Sequence, residues 1–396
     1  MAAPFGSQKL AVLLCKFKDT EQTEPHPSAF YEDLFRRGTG GINDYWLAAS
    51  HGKINLDGTK IFGWRKLSQN QTEYVASHVS RWDKIQGAID AFPELRFVQH
   101  SGVVAIFNSD VGDGGRSGSG VLVNVNDHNT TYLAHETGHT FGLGHSFDQS
   151  DRKLQTWSAP GEYYDNHDIM SAMDVLHHPH PQFGPSGPLL CAAFVDFLGW
   201  LDANRVWTPP HSGSGIDTLE LVSLGHPEVP GYLAAKANDS LYVEFRTNDG
   251  WDEGLPRATV LIHELTGKTV MAMTTKVPKT MQNRSGWNHE WLPGETFGPT
   301  SPIVLNINGG TNISVDSFDL QAKKARITIR RQAPRPISKQ GYILGGIDRG
   351  GDGILILPSG QVLKVPPHSP VIRAMLAVTA FAVRVKEGFA PGARQS

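Results

Sequence analysis

Cysteine is scarce in this sequence: the 396-residue chain contains only Cys15 and Cys191. Two cysteines exclude a small domain held by several disulfides, and both lie in apolar stretches, so we expect buried free thiols or, where strand and helix abut, one bridge. A long apolar run is also missing, so no membrane span of about 20 residues is expected. A formal net charge of −3 gives no electrostatic basis for binding nucleic acid or a membrane surface.

The proportions of hydrophobic and charged residues are those of an ordinary globular protein. Hydrophobic residues make up 39% of the chain and charged residues 19%, so it can bury a sizeable core in two or three domains. In the first half, apolar strands alternate with segments of helical spacing, at residues 9–17, 28–37, 42–49, 72–92, 102–107 and 121–125. This alternation predicts an α/β fold with one long helix over 72–92 and an edge strand at 121–125.

The most informative segment is residues 134–145, AHETGHTFGLGH, which contains the pattern HExxHxxGxxH. On a helix, His135 and His139 are four residues apart and therefore share one face, where both imidazoles can bind a single ion. Gly142 tolerates the positive φ that stops a helix and turns the chain. That turn returns His145 as a third ligand, so the spacing predicts a three-histidine zinc site.

The carboxylate within the motif predicts catalysis at that site. Glu136 follows the first ligand and can act as general base on a water molecule that the metal activates. Two other interpretations are a helix whose histidines are merely packed and a zinc ion with a purely structural role. A structural zinc normally has a fourth protein ligand, whereas here a base stands beside three ligands. The pattern therefore favours an open, hydrolytic site.

With these residues the chain resembles the metzincin zinc endopeptidases, which combine this long motif with a downstream methionine turn. Residues 168–173, DIMSAM, supply the second element, and the resemblance implies that Met170 forms an apolar floor beneath the imidazoles, with Met173 as the alternative. Residues 163–171, YYDNHDIMS, are similar to the turn of gametolysin-like and immune-inhibitor-A-like enzymes. Ala172 stands where astacins and serralysins place a tyrosine.

The likeness extends over roughly residues 8 to 330, including the segments at 8–19, 41–53, 197–201 and 242–262. It implies a zinc-dependent endopeptidase that acts on protein or peptide substrates, binds one catalytic Zn²⁺ and is secreted. No signal peptide is visible, because the apolar run at 11–15 is too short, so we expect a mature or truncated form.

The domain organisation follows from a change in character after residue 202. The resemblance implies that residues 1–202 form a metzincin catalytic domain, a twisted mixed sheet with an active-site helix. Short alternating strands predict a β-rich, sandwich-like domain at 203–336, which we expect to support stability or substrate recognition. Residues 337–396 are predicted to form an extension with a hairpin at 353–366 and a helix at 371–385.

Other features leave alternatives open. Residues 108–115, NSDVGDGG, could bind Ca²⁺, although the spacing matches no EF-hand loop and such clusters usually mark turns. Residues 177–180, HHPH, could form a second metal site but are better explained as a solvated loop. Two rival functions also remain: a binding or adhesion protein with a vestigial protease domain, and a zinc hydrolase acting on a non-peptide amide in a closed pocket.

Overall fold

The computed structural model describes residues 3–76, 79–210, 213–273, 289–298 and 310–332, together with the backbone of three short strands between 343 and 365. The chain divides into two compact units. The larger comprises Met1–Ser212, Ile216–Phe297 and Ile313–Arg330, and the smaller contains Gly213–Gly215, Gly298–Asn312 and Arg331–Ser396. The predicted helix at 371–385 lies outside the described residues.

The described helices are short: α1 Ser28–Phe35, α2 Ile42–Ala49, α3 Gln71–Ala76, α4 Arg81–Asp90, α5 Thr130–Thr140 and α6 Ala192–Phe197, with 3-10 turns at Pro93–Phe97, Ala203–Arg205 and Gly250–Asp252. The single helix expected over 72–92 was wrong, because α3 and α4 are separate. Ser80 is the N-cap of α4 and forms a capping box with Asp83. The side chain of each residue accepts a hydrogen bond from the backbone N–H of the other. None of the described helices is long and apolar enough to cross a membrane.

The strands, in chain order, are β1 Gly6–Ser7, β2 Leu10–Lys16, β3 Ile54–Asn55, β4 Lys60–Lys66, β5 Gly102–Phe107, β6 Gly115–Ser117, β7 Gly120–Val123, β8 Ser146–Asp148, β9 His178–His180, β10 Gly184–Ser186, β11 Val206–Trp207, β12 Gly215–Val222, β13 Ala234–Lys236, β14 Leu241–Arg246, β15 Thr259–Thr266, β16 Thr269–Ala272, β17 Thr296–Phe297, β18 Gly310–Asp319, β19 Lys324–Gln332, β20 Ile343–Ile347, β21 Gly353–Ile356 and β22 Val362–Val365. They form several sheets, so the architecture is mixed α/β with few helices, consistent with a protease domain.

The first sheet has the strand order β4-β2-β5-β7-β6. Strand β2 is apolar throughout because both of its faces are covered: Val12 and Leu14 belong to one hydrophobic cluster, and Leu13 and Cys15 to another. Both cysteines are buried free thiols, as expected. The predicted edge strand was wrong. The antiparallel strand β6 covers β7 and forms the edge itself, because the glycine-rich segment between β5 and β7 folds back along β7.

The second sheet, with the order β11-β13-β14-β15-β16-β8, joins distant parts of the sequence. Strand β8 directly follows the zinc-binding pattern, yet it pairs in parallel with β16, with Ser146 opposite Val270 and Asp148 opposite Ala272. The sheet therefore links the segment after His145 to the β-rich half of the chain within the larger unit.

The third sheet has the order β12-β19-β18-β17. One hydrophobic cluster contains side chains of both the second and third sheets, including Val243, Phe245, Ile313, Ile327 and Ile329. Three small sheets complete the described structure. They are β1 paired with β3, β9 paired with β10, and the antiparallel set β20-β21-β22, which includes the segment predicted as a hairpin.

Candidate metal centre and active site

Helix α5 carries the first half of the site. Its N-cap is Asn129, whose side chain accepts a hydrogen bond from the backbone N–H of Tyr132. It ends in a Schellman turn: the N–H of Leu143 donates to the carbonyl of Gly138 at 3.2 Å, and Gly142 has φ +94°. The turn that the glycine permits directs the chain back toward the helix, so His145 approaches the two helical histidines.

Three imidazoles converge at this point. One ring nitrogen each of His135, His139 and His145 lies within 4.8 Å of the other two. The opposite nitrogens are held by protein acceptors: Nδ1 of His135 donates to the carbonyl of Ile169 at 2.8 Å, and Nδ1 of His139 to that of Leu143 at 2.9 Å. Such contacts orient metal-binding imidazoles and select their tautomer.

The hydrogen-bonding pattern fits a bound cation. Since carbonyl oxygens only accept, Nδ1 of His135 and of His139 each carry the ring proton, and each Nε2 presents a lone pair. These two Nε2 atoms are 3.2 Å apart. A shared proton is disfavoured, because burial and neighbouring histidines lower the pKa of His135 well below its ordinary value, and burial lowers the pKa of His139 to about 4. The facing lone pairs are therefore suited to binding a metal ion.

Glu136 lies beside this cluster in a water-poor environment and is only 7% exposed. Burial raises the pKa of its carboxyl to about 7, although the Arg81 guanidinium and a hydrogen bond from the backbone N–H of Arg116 act in the opposite direction. Arg116 belongs to the edge strand β6, so the strand that ends the first sheet also contacts this carboxyl. A carboxyl with a pKa near neutrality is suited to both accepting and releasing a proton.

Met170 is fully buried beneath α5, whereas Met173 is half-buried. A Cβ placed on Gly138 would come within 2.5 Å of Met170 Sδ, so the glycine leaves room for the sulfur under the helix. Two hydrogen bonds connect the backbone around Met170 to the site. The carbonyl of Ile169 accepts one from Nδ1 of His135, and the carbonyl of Met170 accepts one from the N–H of Ser146 at 3.0 Å. Ala172 is buried and offers no polar group.

Sequence reasoning missed Glu162. Its Oε1 accepts a hydrogen bond from Nδ1 of His145 at 2.5 Å. This carboxylate therefore orients His145 as the carbonyl oxygens orient the other two histidines. Burial lowers the pKa of His145 despite this carboxylate. No local spacing reveals the pair, since 17 residues separate its members. The Tyr163 ring lies over the same imidazole, with centroids 4.7 Å apart.

The other candidate ion sites find no support. In the 108–115 segment, Asp113 pairs with Arg81 at 2.7 Å, and Asp110 accepts from Gly112 and Asn124. Calcium is therefore unsupported there. The segment predicted as a solvated histidine loop contains β9 instead, and His180 stacks on Phe183 with centroids 4.9 Å apart. Neither segment belongs to a group able to hold a metal ion among the described residues.

Comparison with known proteins adds one finding. The sequence model of the family described as Peptidase M66 matches residues 88–162, a stretch that contains the three histidines, Glu136 and Glu162 but ends before Met170. No curated protein and no solved structure matches the chain. The match supports a metalloprotease family for this chain, with protein or peptide substrates.

Proposed function

We propose that the protein is a zinc-dependent endopeptidase that hydrolyses peptide bonds with Glu136 as general base. The observation that carries this proposal is the convergence of three imidazole nitrogens within 4.8 Å of one another, beside a buried carboxyl of raised pKa. The chemistry of the donors, three neutral imidazoles with no fourth protein ligand among the residues that the structure describes, suits a catalytic zinc ion.

His135, His139 and His145 would hold the ion. When bound, zinc supplies a Lewis acid that polarises the scissile carbonyl and makes water acidic enough to attack at neutral pH. Glu136 would accept the proton of the attacking water and later deliver it to the leaving amine. A pKa of about 7 allows both transfers near neutral pH. Met170 would keep the underside of the imidazoles apolar and fix their position.

The edge strand β6 suggests how substrate is placed. Gly115–Ser117 ends the first sheet, and the backbone N–H of Arg116 bonds to Glu136. A peptide substrate lying beside this strand would pass the general base. The peptidase match supports a polypeptide substrate over a small amide held in a closed pocket.

The finer assignment rests on the sequence resemblance. We place the protein among the metzincins, in the gametolysin-like or immune-inhibitor-A-like subgroup, and propose that it acts outside the cell. The rival of a binding protein with a vestigial protease domain is not favoured, because the peptidase match covers the entire zinc-binding pattern. A protease domain that served only as a structural scaffold would not need the general base Glu136.

The proposal is tested by digestion of unfolded casein. The full chain loaded with zinc should cleave casein, a chelator should abolish cleavage, and added zinc should restore it. Glu136→Gln should lower turnover at least about a hundredfold while leaving the zinc content of the histidine site unchanged, because general-base catalysis contributes about 10² to 10⁴. The matched control is Glu73→Gln, which changes an exposed carboxylate on α3 and should leave turnover unaltered. Full activity of the Glu136→Gln variant would refute the mechanism.

A further inference from the structure

A second group of ligand-type side chains lies buried elsewhere in the larger unit. One carboxylate oxygen of Asp165 and one ring nitrogen each of His167 and His289 lie within 4.8 Å of one another. Their exposed fractions are 0%, 2% and 1%, respectively. Asp165 and His167 come just before the Met170 turn. His289 comes from the β-rich half, where Trp291 exchanges backbone hydrogen bonds with Val260 and holds this segment against β15.

These side chains have unmet hydrogen-bonding capacity. Within the described part of the chain, neither ring nitrogen of His167 and neither ring nitrogen of His289 has a partner at hydrogen-bonding distance. The nearest carboxylate given for His167 is that of Glu290, whose Oε1 lies 3.8 Å from Nε2. Oδ2 of Asp148 is also buried without one, and it lies 3.5 Å from Nε2 of His289. A buried polar atom left without a hydrogen-bond partner destabilises the folded chain. Such a concentration of unsatisfied nitrogen and oxygen atoms around one point indicates a ligand that they share.

The donor types favour a cation. Imidazole nitrogens and carboxylate oxygens are groups that bind divalent metal ions in proteins. Here one such atom from each of three buried residues lies within 4.8 Å of the other two.

The carboxylate is also oriented as a metal ligand would be. Oδ2 of Asp165 accepts from Oγ of Ser146 at 2.9 Å and lies 3.2 Å from Nε2 of His263. Oδ1 accepts from the backbone N–H of His167 at 3.1 Å. A carboxylate offers about four acceptor positions, so one stays available for an ion. Protein donors therefore fix the direction of that remaining lone pair.

We propose that Asp165, His167 and His289 bind a second divalent metal ion. Two imidazoles and one carboxylate form a mixed nitrogen and oxygen set suited to Zn²⁺. All three residues are buried, which excludes a substrate, so this ion is structural. The proposal goes beyond the peptidase assignment and does not depend on it.

The position of the ligands indicates the role of the ion. The backbone of Asp165 is hydrogen-bonded to Ser171 and Ala172 on the far side of Met170. His289 is more than a hundred residues away in sequence. A metal ion at this point would cross-link the Met170 turn and the β-rich half, and closing so long a loop stabilises the folded chain.

Metal analysis of variants tests this inference. The full chain, purified with zinc and freed of loosely bound ions, should contain two zinc ions. His139→Ala with His145→Ala removes two ligands of the first site and should leave one ion. Adding His289→Ala to that pair should leave none. His180→Ala, from the separate histidine segment, is the control and should keep two.

A second measurement uses no substitution in the new cluster. The His139→Ala, His145→Ala chain should unfold at a lower temperature after chelation and recover its melting temperature when zinc chloride is added. A folded chain of this kind that holds no zinc, or that gains no stability from it, would overturn the second site. Retained caseinolysis in the same chain would contradict only the peptidase proposal, so the two failures are distinguishable.

Discussion

The sulfur of Met170 lies so close to Gly138 of helix α5 that a Cβ on the glycine would stand 2.5 Å from Sδ. The same Cβ would be 3.4 Å from the Trp46 ring, whose Nε1 donates to Oγ1 of Thr137 at 2.8 Å. The helix that carries two histidines and the turn that carries the methionine are thus packed without spare volume. Their relative position depends on a residue with no side chain.

We therefore expect Gly138→Ala to lower the free energy of unfolding by about 1–2 kcal/mol, because overpacking a tight core costs about 1–3 kcal/mol. In an exposed helix the same change would stabilise by about 1 kcal/mol. Urea unfolding measures the difference. In a Met170→Ala background the space is free, so the substitution should become neutral or stabilising. Stabilisation in the unaltered chain would contradict the packing described here.

Glu162 should set the affinity of the histidine site. Glu162→Gln removes the negative charge of the side chain that accepts a hydrogen bond from Nδ1 of His145. Loss of a residue that hydrogen-bonds to a metal ligand typically weakens metal binding about 10- to 100-fold. Competition with a chromophoric chelator measures the change. Glu228→Gln alters a similar contact, at 2.7 Å from Nδ1 of His226 on the exposed surface, and should leave zinc affinity unchanged. Equal affinities for the two variants would show that Glu162 plays no part.

Replacing Arg246 should lower the free energy of unfolding more than most other substitutions. It is fully buried and donates from Nε to Glu244 at 2.9 Å, from Nη1 to Asp252 at 2.9 Å and from Nη2 to the carbonyl of Leu190 at 3.0 Å. Arg246→Ala leaves two buried carboxylates without their cation, which typically costs about 3–5 kcal/mol. Arg37→Ala breaks an exposed pair with Asp57 and should cost at most about 1 kcal/mol in the same urea titration. If both variants lost a similar amount of unfolding free energy, the buried ion pairs of Arg246 would not have the stabilising role described here.

Truncation should reveal how far the two halves of the larger unit depend on each other. A chain ending at residue 209 lacks β16, the partner of β8, and also lacks Arg246, which binds the segment before α6. We expect it to be insoluble or to lack a cooperative thermal transition in circular dichroism. A chain ending at residue 332 keeps all of the larger unit and should unfold cooperatively. Cooperative unfolding of the shorter chain would show that the catalytic segment folds alone.

The sequence by itself determined the features that depend on local geometry. Four-residue spacing on a helix sets His135 and His139 side by side, and a glycine three residues later turns the chain toward His145. The continuous apolar run at residues 9–17 predicted a strand. The structure confirms it as β2, whose side chains alternate between two hydrophobic clusters. In each case the cause lies within about a dozen residues.

Only the tertiary structure decided which distant groups meet. The pairing of β8 with β16 brings Asp148 near His289, and the fold of the glycine-rich segment makes β6 the edge strand that contacts Glu136. The contact of Glu162 with His145 likewise depends on a turn of the intervening chain. Strand order and loop path reflect the burial of the whole chain, so no periodicity within one segment encodes them.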